Sequence, residues 1–300
     1  SGAGPTFGVD DMACAAATHL GCWEELGLTV EWMPALGGIK AMGKVLAGEV
    51  DAAYGGLGPV LQLRGEGEPL RILVSMARAL AQNLVVPPHI TSTDALRGAS
   101  WAVDGINALS HHMARSIVAA LPLTEDEIDW RVVGPPPERI AALLDGSVDV
   151  SLIRVEEALA LTGDASNDLH MLLGFAALKD LVPLQPHGVL ATTERFEASD
   201  PERLDKLVRG LVAASRRLDS DFEAFRRTFE RYVTVRVTPR QIEEIWEQER
   251  RSKGFAVDGE MSAAHWDGQL DAYARLNPGL PRIAREDVLA TRFVEAVLAG

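Results

Sequence analysis

Cysteine is scarce in this 300-residue chain, which contains only Cys14 and Cys22. Two cysteines cannot build a disulfide framework. The pattern places both in one helix ending near residue 26, about 12 Å apart along its axis, too far for a bridge. They read as small buried hydrophobes and leave the redox compartment open. Long apolar runs are missing as well. No stretch of eighteen apolar residues occurs, which excludes a membrane-spanning helix. The opening Ser1-Gly2-Ala3-Gly4-Pro5 lacks a signal-peptide pattern, so a processed extracytoplasmic protein and a cytoplasmic one both remain open. Positive charge is the minority sign: 29 Lys and Arg face 43 Asp and Glu, a net charge of −14. Such a chain is repelled by phosphate backbones and anionic lipid, which disfavours nucleic-acid and membrane-surface partners. Catalytic and cofactor signatures are absent too. There is no G-x-S-x-G, no H-E-x-x-H, no Cys/His zinc spacing, no phosphate-binding loop and no dinucleotide fingerprint. No metal and no cofactor are expected.

What is present is a globular composition, 47% hydrophobic and 24% charged, at a length that suits two lobes. It also holds an internal repeat. Residues 27–53, GLTVEWMPALGGIKAMGKVLAGEVDAA, align without gaps on residues 125–151, EDEIDWRVVGPPPERIAALLDGSVDVS. Trp32 meets Trp130, Gly48 meets Gly146 and Asp51 meets Asp149, each pair 98 positions apart. Each copy reads as β–α–β. An alternating strand (30–33 or 128–132) is followed by a Gly/Pro turn. A helix (41–46 or 140–144) then ends at a glycine suited to positive φ, before a short apolar strand (50–54 or 148–153). That unit builds a parallel sheet.

The remaining pattern fits around the repeat. Residues 6–9 form a first strand, 70–77 another, and 83–86 a crossing into a second lobe. That lobe opens with a strand at 100–103 and a helix at 110–120. A strand at 171–173 follows, and 188–192 is the return crossing. Beyond Pro201 the pattern is helical: 201–219, 221–232, 239–251, 262–275 and a last helix over 285–298. Asp200-Pro201-Glu202 is a helix start, with Asp as cap and Pro in the first position. The expected division is lobe one, 1–84 and 190–300, and lobe two, 85–189.

LAGEVDAAYGGLGP (46–59), LRILVSMARA (70–79), STDALRGASWAV (92–103), GPPPERIAALLDGSVDVSLI (134–153) and GVLATTERF (188–196) occur in this order and spacing. Together they resemble the NMT1/THI5-like (SsuA-like) substrate-binding proteins of ABC importers. The resemblance is dense from about 27 to 215. It implies an α/β, two-lobed type II periplasmic-binding-protein-like fold, its lobes joined by two hinge crossings, with a helical C-terminal segment. It further implies a monomer that closes on a small polar or anionic ligand and presents it to an ABC permease, in a periplasmic or extracytoplasmic setting. Aromatic or heteroaromatic acids, sulfonates and pyrimidine-like solutes all suit it.

Candidate ligand-binding residues lie at strand ends and helix starts. In lobe one they are Asp10, Asp11, Met12, Gly37, Gly38, Gly56, Leu57, Gly58 and Arg78. Glycines let backbone N–H groups approach a ligand, and a helix N-terminus favours an anion. In lobe two they are Asn107, Ser110, His111, Pro135, Arg154 and Glu156. Ser110 is a candidate helix cap, and Asp10 and Asp11 hold an amine or cap the helix near Met12. Arg154 either clamps an anionic group or pairs with Glu156 or Glu157. Enzymes share this fold, so an alternative is kept. In an aromatic-acid decarboxylase, Arg154 would fix the carboxylate while His111 or His112 protonates the product carbon. The Cys-rich signature of the pyrimidine-precursor synthase is absent. Cys14 falls inside a helix rather than in the loop where a desulfinase nucleophile would sit.

Overall fold

A computed structural model describes residues 8–35, 37–77, 81–182 and 188–300. The chain divides into two compact units. Ser1–Leu80, Pro186–Thr234 and Ile242–Gly300 form the first, and Ala81–Gln185 with Val235–Gln241 the second.

The first unit begins with α1 (Met12–His19), α2 (Gly38–Ala47), β1 (Ala53–Gly56), α3 (Leu57–Gly65) and β2 (Leu70–Ser75). Helix α1 buries Met12 and the run Ala13-Cys14-Ala15-Ala16-Ala17, which is apolar all round, before Thr18 and His19 close it. It ends earlier than expected because Gly21 turns the chain at φ 72°, so Cys22 lies beyond it. Both cysteines are buried and free. Of the expected strand at 6–9, residues 6 and 7 lie outside the described residues, Gly8 is irregular and Val9 belongs to a 3-10 turn.

The second unit holds β3 (Gln82–Val86), β4 (Ser100–Val103), α4 (Leu109–Ala120), β5 (Asp129–Val132), α5 (Pro136–Leu144), β6 (Val150–Arg154), α6 (Val155–Thr162), β7 (His170–Leu173) and α7 (Phe175–Leu181). Its sheet runs β5-β4-β6-β3-β7. β4 is parallel to β5 and β6, and β3 is antiparallel to β6 and β7. The second copy of the repeat is therefore a true β–α–β, β5–α5–β6, with β4 between its strands. Its core gathers Val85, Ala102, Ala142, Leu143, Val148, Ile153, Ala158 and Leu169. Each valine, leucine or isoleucine of this set contributes about 1.5–3 kcal/mol when fully buried.

The chain then completes the first unit with β8 (Gly188–Thr193), α8 (Glu194–Ser199), α9 (Pro201–Ser220), α10 (Phe222–Tyr232), α11 (Pro239–Ser252), α12 (Ala263–Leu276), α13 (Arg285–Val288) and α14 (Arg292–Ala299). Asp200 caps α9, its carboxylate accepting from the Arg203 N–H at 3.1 Å, with Pro201 in the first helical position. The helix expected over 285–298 is broken. Leu289 bridges Ile72, and the Ala290 N–H donates to the Ile72 carbonyl at 2.8 Å, so a β-contact interrupts the helical ladder.

The first unit departs from the parallel sheet expected of the repeat. β8 lies in the middle and pairs antiparallel with both β1 and β2. Among the described residues the stretch 30–33 joins no ladder, although its burial still alternates, with Val30 and Trp32 half-buried and Glu31 and Met33 exposed. Side chains hold it instead. The Trp32 indole N–H donates to Thr18 Oγ1 at 3.2 Å, and its ring lies 6.0 Å from Trp23 and 6.1 Å from Tyr54. The glycines expected to end the two repeat helices do so in the left-handed region, Gly48 at φ 72° and Gly146 at φ 75°. Behind this sheet, Met42, Leu57, Leu61, Ile72, Val189, Trp266 and Leu289 share one core.

Candidate functional site

In the first unit the carboxyl end of β1 meets the start of β8, where Gly56 pairs in register with Gly188. A Cβ placed on Gly188 would lie 3.2 Å from Met76 Cε, 3.7 Å from Asp11 Oδ1 and 4.0 Å from the Gly55 carbonyl. One on Gly55 would lie 3.7 Å from Gly38 Cα, and one on Gly38 would strike Pro59 Cγ at 2.7 Å. Asp11, Gly38, Gly55, Gly56 and Met76 thus converge, through glycines that permit close approach. Gly37 and Gly56 precede α2 and α3. Met12 and Leu57 are core side chains and offer only backbone here. The Gly58 carbonyl accepts from the Tyr273 hydroxyl at 3.4 Å. Asp11 occupies the cap position of α1 without a side-chain cap bond. Leu36, Arg78 and the Asp10 side chain lie outside the described residues.

In the second unit, the turn after β4 carries Asn107 at φ 63°. Its N–H donates to His111 Nδ1 at 2.9 Å, which leaves the proton of a neutral ring on Nε2. His111 stands edge-on to Trp130, centroids 4.9 Å apart. Ser110 is not the cap of α4. Ala108 holds that position, and Ser110 is the second helical residue. Its hydroxyl donates to Asp104 Oδ1 and accepts from the Asp104 N–H at 2.9 Å, so it braces the turn. Pro135 is the cap residue of α5. Arg154 ends β6 in register with Gln82 and leads directly into α6, whose first turn buries Glu156.

Titration behaviour follows burial. Burial first, then Arg115 and His111, push His112 down to about 4. Burial and Arg115 lower His111 in the same direction. Burial, reinforced by Asp11, raises the Cys14 thiol well above its ordinary range. These histidines are neutral and this cysteine is a thiol near pH 7. Among the described residues no group of three or more His, Cys, Asp or Glu could hold a metal ion. No described helix is long and apolar enough to cross a membrane.

One side chain was missed by reading the sequence. Arg139 on α5 is buried, and Nη1 donates to Ser151 Oγ at 3.1 Å and to the Leu152 carbonyl at 2.6 Å. Its signal was available. Arg139, Ala142 and Leu143 share the buried face of the helix, and the first copy places buried Ala41 at the matching position.

These strand-end faces stand on a recognisable frame. The NMT1/THI5-like family model matches residues 10–217. The chain belongs to the NMT1/THI5-like family. No curated protein matches it. Among solved structures, a Bordetella bronchiseptica RB50 protein is similar at 16% identity and TM-score 0.79, covering 97% of this chain and 93% of its own. The alkanesulfonate-binding protein SsuA from Xanthomonas axonopodis pv. citri, bound to MOPS, is similar at 18% identity and TM-score 0.74, with 93% and 94% covered. The periplasmic nitrate-binding protein NrtA from Synechocystis PCC 6803 is similar at 14% and 0.73, with 97% and 86% covered. At these identities the likeness shows the fold, that of the periplasmic binding proteins.

Proposed function

We propose that this NMT1/THI5-like chain is the solute-binding component of an ABC importer, taking one small polar or anionic solute outside the cytoplasm and handing it to a membrane permease. The observation that carries the reading is the family match over 10–217, joined to a fold shared along nearly the whole length of SsuA and NrtA. The strand-end chemistry supports it. Gly38, Gly55 and Gly56 expose backbone for hydrogen bonding in the first unit, while Asn107, Arg154 and Arg139 supply polar and charged groups in the second. Loading then shifts the chain toward a closed form without altering the solute.

The test is a thermal-shift screen of the purified chain against sulfonates, aromatic carboxylates, pyrimidines and amines. Each hit is followed by mass spectrometry of the solute and small-angle scattering of the protein. The expected result is a raised midpoint, an intact solute and a smaller radius of gyration. A solute recovered as a lighter product would sink the binding reading in favour of a lyase.

A further inference from the structure

The α5 helix brings a full positive charge onto the buried face of the second unit and does not pair it there. Arg139 is 6% exposed. Among the described residues its hydrogen bonds go to two neutral acceptors, Ser151 Oγ and the Leu152 carbonyl, both on β6. Nε is sealed from solvent with no acceptor. The carboxylates that act on the guanidinium, Asp104 and Glu157, do so from beyond bonding distance, while Arg154 opposes them. Asp104 is itself occupied by Ser110.

A buried charge without a partner is costly, and the β–α–β plan does not require one, since Ala41 fills this place in the first copy. A second buried donor lies close along the same sheet. Asn83, in register with Ile153 on β6, accepts from the Phe175 N–H at 2.8 Å through Oδ1, while its Nδ2 finds no acceptor. Two donors short of acceptors beside the carboxyl end of β6 describe a place made for negative charge.

We infer that Arg139 is a specificity-determining residue: its buried guanidinium is the counter-charge that makes the second unit select solutes carrying an oxyanion over neutral solutes of the same shape. This rests on the solute-binding reading above. Arg154 contributes a further positive group at the end of the same strand. Asp104 and Glu157 act on this cation only from a distance, and an oxyanion pairs with it directly on binding.

The experiment titrates the full chain with ethanesulfonate and benzoate and with their neutral counterparts, ethyl methyl sulfone and benzamide. It compares wild type with Arg139→Met and Arg139→Lys. Wild type is expected to prefer each anion by about 30-fold or more, the range of one or two charge-assisted hydrogen bonds. Arg139→Met loses that preference, and its ligand-free melting midpoint stays level or rises because the unpaired charge is gone. Arg139→Lys keeps the preference within about 10-fold of wild type. A purely structural arginine gives the opposite signature, a lower ligand-free midpoint with anion preference intact. That result, or an Arg139→Met chain that does not fold, overturns the inference. If only neutral or cationic solutes bind wild type, the inference falls and the solute-binding reading stands. If no solute of any class binds, both fall.

Discussion

At strand ends and helix starts the first unit carries Gly37, Gly38, Gly55, Gly56 and Gly188, whereas the second carries Asp104, Asn107, Ser110 and Arg154, with Arg139 in the first turn of α5. Each unit contains one copy of the sequence repeat, and both copies end their helix at a left-handed glycine, Gly48 or Gly146. The repeat specifies a frame through its apolar spacing and helix stop. Strand-end residues sit outside that requirement, so one copy can present backbone and the other charge. The shared tryptophans make the same point about packing. Trp130 sits in a ladder and closes on His111 and Trp101, whereas Trp32 packs on Trp23 and Tyr54 and donates to Thr18.

The contrast can be broken most forcefully with acid. His112 titrates near 4 in the folded chain, below the ordinary value of about 6.5, so the folded state binds fewer protons than the unfolded one across that window. Stability is therefore full above about pH 6.5 and falls as pH drops toward 4, by up to about 3 kcal/mol, with His111 adding in the same direction. Urea unfolding as a function of pH should show this slope, and His112→Gln should flatten it. Hydrogen exchange should place the loss in the second unit. A variant that retains the full slope would show that the acid sensitivity lies elsewhere.

Intermediate in size is a steric comparison at matched positions. A Cβ at Gly38 would meet the Pro59 ring at 2.7 Å, and a proline ring has little freedom to yield. Gly38→Ala is expected to cost about 1–3 kcal/mol. The matching residue of the second copy is Pro136, in the first position of α5, and Pro136→Ala is expected to cost less than about 1 kcal/mol. Equal costs would mean that the two turns pack alike after all.

The smallest effect concerns the shared aspartates. Asp149 accepts from the Ser100 N–H at 2.9 Å and the Ser100 hydroxyl at 2.7 Å. Burial works to raise its pKa, but the Ser100 bonds and His89 outweigh it and hold the carboxyl below its usual value. Its contribution is present above about pH 4 and is lost as pH falls through the lowered value. Allowing for solvent screening, Asp149→Asn should cost about 1 kcal/mol at pH 7 and nothing near pH 2. Asp51 reaches only Arg203, at 3.4 Å on the surface, and Asp51→Asn should cost less than about 0.5 kcal/mol. Chemical denaturation of the pair at both pH values decides it.

Local chemistry was legible from the residues alone. Asp200-Pro201 opens α9, Gly146 closes α5, the apolar run before Arg154 forms β6, and the order of motifs marks the family. These features depend on neighbours a few positions away, which a sequence displays directly. Partnership across the chain was not legible. The alternation at 30–33 looks like a strand, yet among the described residues it pairs with none. β8 enters between β1 and β2 from far along the chain and makes that sheet antiparallel. Leu289 and Ala290 give up helical geometry to a β-contact with Ile72. Ser110 turns from cap to brace because Asp104 folds back onto it. Arg139 reads as one more helix arginine until α5 lays it against β6. Periodicity reports which face of a segment seeks burial. Which group waits on the other side is set by contacts between residues distant in sequence, and only the tertiary structure decides whether a buried charge finds its partner.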